Sequence, residues 1–218
     1  MAKTRTAVLI SGRGSNMAAL LTAAEAEDYP AAITLVLSNR ADAGGLVEAK
    51  KRGVETMVID HRDFDDRAEF EAALNQALGE AKIELVCLAG FMRLLTSAFV
   101  DAWRDRLINI HPSILPAFKG LQTHERAIAA GVRIHGATAH FVRATMDEGP
   151  VIVQGAVPVL PSDTPDSLAE RVLAVEDRIF PIAVALVAAR KARVVSEKVM
   201  IDEDSGHAGD VLIVPHWS

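Results

Sequence analysis

The sequence predicts an α/β fold, a mainly parallel, twisted sheet with helices on both faces. Two observations carry that prediction. Short β-branched apolar runs recur through the first hundred residues, and Ala-rich stretches with helical spacing separate them. The runs are apolar throughout rather than alternating, as expected of strands buried on both faces within βαβ units.

The strands expected in order are Ala7–Ile10, Ile33–Leu37, Thr56–Ile59, Glu84–Leu88 and Leu107–Ile110. Helices are expected between them near Asn16–Ala26, Gly44–Lys51, Arg67–Leu78 and Ser97–Trp103. After residue 110 the rhythm changes. Ile134–Val142 and Val151–Pro158 read as longer strands, and Pro165–Val187 as a long helix. Asp163 or Thr164 can cap that helix, and Pro165 suits its first turn. Pro181 falls inside it and predicts a kink or break. From Val194 to Ser218 the sequence is mixed, with an acidic turn at Asp202–Asp204 and an apolar stretch at Val211–Val214. No repeat or long linker divides the chain, so residues 1–218 read as one domain with a tail from about 191.

Half the residues are hydrophobic, 24% are charged, and the net charge is −6. That acidic balance argues against a generic nucleic-acid partner. The one cysteine, Cys87, sits in an apolar run, so no disulfide can form within the chain. The first apolar run ends too soon for a signal-peptide core, and no stretch reaches the roughly 18 apolar residues of a membrane helix. A cytoplasmic protein with no membrane partner is expected.

Val8-Leu9-Ile10-Ser11-Gly12-Arg13-Gly14-Ser15-Asn16-Met17 reads as strand, small-residue turn and helix start. Glycines allow close backbone approach, and the helix start offers unpaired amides to a phosphate. Met17 stands where a dinucleotide fingerprint has its third glycine, and no Gly-Lys-Ser/Thr follows. The plainer reading is a tight turn with Ser15 or Asn16 as helix cap.

Leu107-Ile108-Asn109-Ile110-His111-Pro112-Ser113 reads as a strand end. Alternation places Asn109 and His111 on one side, at the end of the sheet where open α/β proteins bind ligands. An amide donor beside an imidazole suits acyl transfer, in which an oxyanion needs donors and an amine loses a proton. The plainer reading has Asn109 tying down the loop and His111 packing under it. Leu115-Pro116 is a candidate cis bond. Met146-Asp147-Glu148-Gly149-Pro150 is by itself a solvated turn. Asp147 gains interest only if it meets His111, because a carboxylate can stabilise an imidazolium.

Five segments together carry a specific resemblance. They are Ser11–Asn16, Ala89-Gly90-Phe91-Met92-Arg93, Asn109–Ser113, His135-Gly136-Ala137-Thr138-Ala139-His140-Phe141-Val142 and Met146-Asp147-Glu148-Gly149-Pro150-Val151-Ile152. In this order they resemble the phosphoribosylglycinamide formyltransferase family, the folate-dependent transformylases of purine synthesis, over residues 5 to about 190. The resemblance implies a formyltransferase-like, Rossmann-type fold in a single formyltransferase domain. It implies one-carbon transfer from 10-formyltetrahydrofolate, a co-substrate, to the amine of glycinamide ribonucleotide, with no metal. Asn109, His111 and Asp147 correspond to the family's catalytic residues. Gly14, Ser15, Asn16 and Glu176 correspond to ribonucleotide-binding positions. Arg67, Met92, Arg93, Leu94, Leu95, Asn109, Arg143, Ala144, Thr145, Met146 and Asp147 correspond to folate-binding ones. Nothing is implied for the tail.

Met92, Leu94, Leu95 and Val142 could line a flat pterin slot; the plainer reading is core, and for Met92 and Leu95 the two readings weigh equally. His124 and His140 are candidates for ligand contact. His61, His207 and His216 are expected on the surface, and no histidine spacing suggests a metal site. Three other readings compete. Formyltetrahydrofolate hydrolysis is expected to need an extra N-terminal regulatory domain, and transfer to initiator methionyl-tRNA a further C-terminal domain and a basic surface. A non-catalytic nucleotide-binding module sits poorly with the polar pair at 109 and 111. Oligomeric state stays open, a homodimer included.

Overall fold

A computed structural model describes residues 2–202. Seven strands form one sheet: β1 (Thr4–Ile10), β2 (Ala31–Ser38), β3 (Glu55–Val58), β4 (Leu85–Leu88), β5 (Leu107–His111), β6 (Ile134–Phe141) and β7 (Val151–Pro158). The helices are α1 (Ser15–Ala24), α2 (Gly44–Lys51), α3 (Arg67–Glu80), α4 (Ser97–Ala102), α5 (Thr123–Ala129) and α6 (Pro165–Ala188). The spatial order is β3-β2-β1-β4-β5-β6-β7. Strands β1 to β5 run parallel, while β6 pairs antiparallel with β5 and with β7. The sheet and both helical layers match the sequence expectation.

Two apolar layers hold the sheet. On one face Val8, Ile10, Cys87, Ile108 and Ile110 pack with Leu20 of α1, Leu46 of α2 and Phe180 of α6. On the other Ala7, Leu9, Leu35, Val86 and Leu107 pack with Leu74 of α3 and Phe99 of α4. Each fully buried Leu or Phe contributes on the order of 2 kcal/mol by leaving water. The sheet order reverses beside β1, opening a crevice at the C-terminal ends of β1 and β4.

Helix α6 starts in a capping box between Thr164 and Ser167. Asp163 instead accepts from Leu160 N–H and Ser167 Oγ–H and pairs with Arg171. The helix is not broken at Pro181: α6 continues through it as one 24-residue helix. Phe180, Ala183 and Val184 are fully buried on either side of the proline, and that packing outweighs one lost helical hydrogen bond. The Leu115-Pro116 bond is cis.

The tail expected from about 191 contains a second, two-stranded sheet, β8 (Ala192–Val195) with β9 (Lys198–Ile201). Ala192, Val194, Val199 and Ile201 pack against the main core. Glu203, Asp204, His207, Val211–Val214 and His216 lie outside the described residues. No helix among the described residues is long and apolar enough to cross a membrane.

Candidate active site

The glycine loop leaves β1 at Ser11 and enters α1 at Ser15. Gly14 is the N-cap of α1, in the left-handed region at φ 78°, and no side chain caps the helix. The expectation of a cap from Ser15 or Asn16 therefore fails. Asn16 turns its Nδ2–H to Glu176 of α6 at 2.7 Å, so the α1 amides stay free to meet an anion. A Cβ at Gly14 would meet Gly45 Cα at 2.9 Å, which with the positive φ reserves the position for glycine.

Residues 11–16 line a crevice of about 380 Å³ with Asn39, Arg40, His61, Ala89, Gly90, Met92 and Arg93. Its polar lining is partly paired, with Asn16 Oδ1 buried and unpartnered. Ser11 Oγ donates to Asn39 Oδ1 at 2.5 Å and accepts the Met92 N–H at 2.8 Å. His61 Nδ1 lies 3.1 Å from Asn39 Nδ2. His61 is thus a half-buried wall of the crevice rather than a free surface residue. Asn39 went unnoticed and His61 was expected on the surface, because nothing in their own segments signals that β2, β3 and β1 end side by side.

Glu176 is buried, and burial, the dominant influence, lifts its carboxyl to about 7. The Asn16 amide opposes that rise and Asp177 adds to it. Because the folded value exceeds the ordinary 4.5, folding favours the protonated acid. The stability tied to that preference is fully present below pH 4.5 and is lost as pH rises through 7, on the order of 3 kcal/mol in all. Urea melts of Glu176→Gln across that range are expected to show a flatter pH dependence than the parent. Parallel curves for the two proteins would mean that Glu176 ionises as an ordinary surface carboxylate.

Asn109 and His111 share one face of β5, as alternation predicts, opposite His140 and Thr138 of β6. The buried His140 places Nδ1 2.9 Å from Phe141 O, so that nitrogen carries the proton and donates. Its Nε2 lone pair then accepts Asn109 Nδ2–H at 3.2 Å, which orients the amide with its nitrogen toward the ring. Burial, foremost, lowers the His140 pKa and keeps the ring neutral. His140 is therefore an anchor for Asn109, a role the sequence did not reveal.

His111 Nε2 donates to Phe118 O at 3.2 Å, and its Nδ1 lies 3.5 Å from Asp147 Oδ2. Both ring nitrogens thus face oxygen acceptors, one a backbone carbonyl and the other a carboxylate. The same Asp147 Oδ2 accepts Gly120 N–H at 2.8 Å, which holds the carboxylate in place. Asp147 adopts a left-handed φ of 57°, a conformation aspartate tolerates better than most residues. Nearby, a Cβ on Gly149 would sit 1.6 Å from Phe141 O. Only glycine lets this loop close onto the end of β6. The two loops at 112–122 and 142–149 thus converge on one strand end, and the encounter of His111 with Asp147 is real.

Of the other expected residues, Met92 and Arg93 line the crevice. Met92, Leu94 and Met146 are exposed, whereas Leu95 and Val142 are half-buried against the core. Ala144 and Thr145 are exposed beside them, and Arg67 and Arg93 are exposed. Buried Glu71, unmarked by any sequence signal, accepts Thr96 N–H at 2.7 Å and also its hydroxyl. It thereby ties α3, one turn after Arg67, to Thr96 at the start of α4. Arg143 is committed elsewhere, to Asp105 and Glu197. His124 does not cap α5, whose N-cap is Gln122. Its ring instead meets His135 edge-on at 5.3 Å.

Residues 4–184 match the family model described as formyl transferase. The chain is 46% identical over 192 residues to the trifunctional purine biosynthetic protein adenosine-3 of Gallus gallus. That match takes in 88% of the chain but spans only 19% of the relative's length. It is 40% identical over 178 residues to the phosphoribosylglycinamide formyltransferase of Escherichia coli, covering 82% of the chain and 84% of that protein. The crystal structure of glycinamide ribonucleotide transformylase 1 from Symbiobacterium toebii superimposes with a TM-score of 0.90 at 43% identity. There the match covers 92% of this chain and 95% of the other. Since the family match takes in the glycine loop, β5 and the Asp147 loop alike, the chain belongs to the formyl transferase family.

Proposed function

We propose that the chain transfers a formyl group from 10-formyltetrahydrofolate to the amino group of glycinamide ribonucleotide, a step of purine biosynthesis. The observation that carries this reading is the meeting of Asn109, His111 and Asp147 at the end of β5, two strands from the uncapped start of α1. Neighbouring strands lie roughly 5 Å apart, so a phosphate held by α1 puts its sugar and amine within reach of β5. The names of the relatives support the same chemistry.

On this reading Gly14, Ser15 and Asn16 hold the phosphate through backbone amides, and Glu176 meets the ribonucleotide beside them. Met92, Leu94, Leu95 and Val142 flank the pterin, and the backbone of residues 143–147 reads its polar edge. Arg67 and Arg93 face the carboxylate end of the donor. The amine attacks the formyl carbon, a C–N bond forms, and the carbonyl oxygen becomes an oxyanion. The Asn109 N–H left over from His140 and a protonated His111 stabilise it. Asp147 supports the imidazolium and accepts the amine's proton through water. Collapse expels the folate N10, which takes up a proton, and no covalent enzyme intermediate forms. The chain works in this scheme as one formyltransferase domain, in the cytoplasm, on two small-molecule substrates.

Purified protein incubated with 10-formyltetrahydrofolate is expected to deformylate it, as followed by absorbance, only when glycinamide ribonucleotide is present. Equal turnover without the ribonucleotide would make water the acceptor, and no turnover in either case would leave a binding module.

A further inference from the structure

The C-terminal hairpin does more than cover the sheet. Its two-residue turn, Ser196 and Glu197, has φ values of 49° and 57°. Hairpin turns of this kind usually use Gly or Asn, which adopt positive φ at low cost. Here they hold a carboxylate at the tip. Glu197 reaches back 54 residues to Arg143, whose Nε donates to Glu197 Oε2 at 2.7 Å. Its other oxygen accepts from Arg104, in the α4–β5 connection.

Arg143 is fully engaged. Its Nη2 donates to Asp105 Oδ1 at 2.7 Å and its Nη1 to Val142 O at 3.0 Å. Only 11% of the Arg143 side chain is exposed, against 54% for Glu197 and 44% for Asp105. A mostly covered guanidinium is thus held by two carboxylates from separate parts of the chain. Four residues later Asp147 is held by Gly120 N–H and faces His111. The loop is pinned at both ends, and between the pins lie three exposed residues, Ala144, Thr145 and Met146.

We propose that Glu197 is a positioning residue for the loop that carries Asp147, acting through Arg143 to hold the backbone of residues 144–146 in its ligand-receiving shape. The role in catalysis rests on the reading that this loop receives the formyl donor. Removing the Glu197 charge leaves Arg104 and Arg143 sharing Asp105 and the α4 carboxylate Asp101, which lies 3.9 Å from Arg104. The first pin then loosens while the second stays.

The test compares the parent with Glu197→Gln, Glu197→Asp and, as a control on the same hairpin, Lys198→Ala. Glu197→Gln is expected to raise the KM for 10-formyltetrahydrofolate about fivefold, within the range of a partly exposed ion pair. The KM for glycinamide ribonucleotide and the thermal midpoint stay at parent values. Glu197→Asp keeps the charge and restores most of the donor KM, and Lys198→Ala behaves as parent. Amide hydrogen exchange, which needs no substrate, is expected to quicken at residues 143–147 in Glu197→Gln alone. Unchanged exchange there would overturn the proposal, as would equal changes in both KM values or a Lys198→Ala effect matching Glu197→Gln. An inactive parent whose Glu197→Gln variant still shows faster exchange would instead remove the transfer reading and leave the brace standing.

Discussion

Asp147→Asn is expected to keep the fold and lower kcat about a thousandfold, the middle of the range for losing a positioned acid–base group. Asparagine has nearly the same shape, and its Oδ1 can still accept the Gly120 N–H that holds the aspartate. What disappears is the negative charge 3.5 Å from His111 Nδ1. A neutral amide cannot stabilise an imidazolium, because the oxygen left facing Nδ1 no longer carries a full charge. It also cannot receive the amine's proton. Steady-state kcat with both substrates saturating, read beside a urea midpoint, checks this. A variant within tenfold of the parent would remove Asp147 from the chemistry.

Asn109→Ala is expected to cost a hundred- to thousandfold in kcat, the usual penalty for losing one oxyanion donor. It should also cost stability, about 1 kcal/mol, because His140 Nε2 loses its partner at a buried site. The two effects separate experimentally. The stability loss appears in urea melts with no substrate present, while the kinetic loss appears in kcat with little change in ribonucleotide binding. His111→Ala should match or exceed the kinetic loss. If Asn109→Ala and His111→Ala both bind substrates and turn over at parental rates, the centre of the reaction lies elsewhere.

Much of this was legible in the chain because it depends on local pattern. The β-branched runs fall on the observed strands, and the spacing of apolar residues falls on the helices, because burial on two faces or one stripe leaves a mark every few residues. The same alternation puts Asn109 and His111 on one face of β5. Errors arose where tertiary packing overrode a local rule. Pro181 breaks an isolated helix, but the buried side chains around it keep α6 continuous. Asn16 is a good helix cap in isolation, yet Glu176, 160 residues away, takes its side chain.

By itself, then, the sequence determined the layer architecture, the glycine loop at a helix start and the polar pair at a strand end, each written in residues close together in the chain. Only the tertiary structure decided that Asp147 meets His111, that His140 orients Asn109, that Asn39 and His61 wall the crevice, and that Glu197 grips Arg143. Those pairs lie between 22 and 54 residues apart where they bond directly, and their encounter depends on strand order and loop closure. Neither leaves a periodic signal, because what brings the partners together is the packing of the whole sheet.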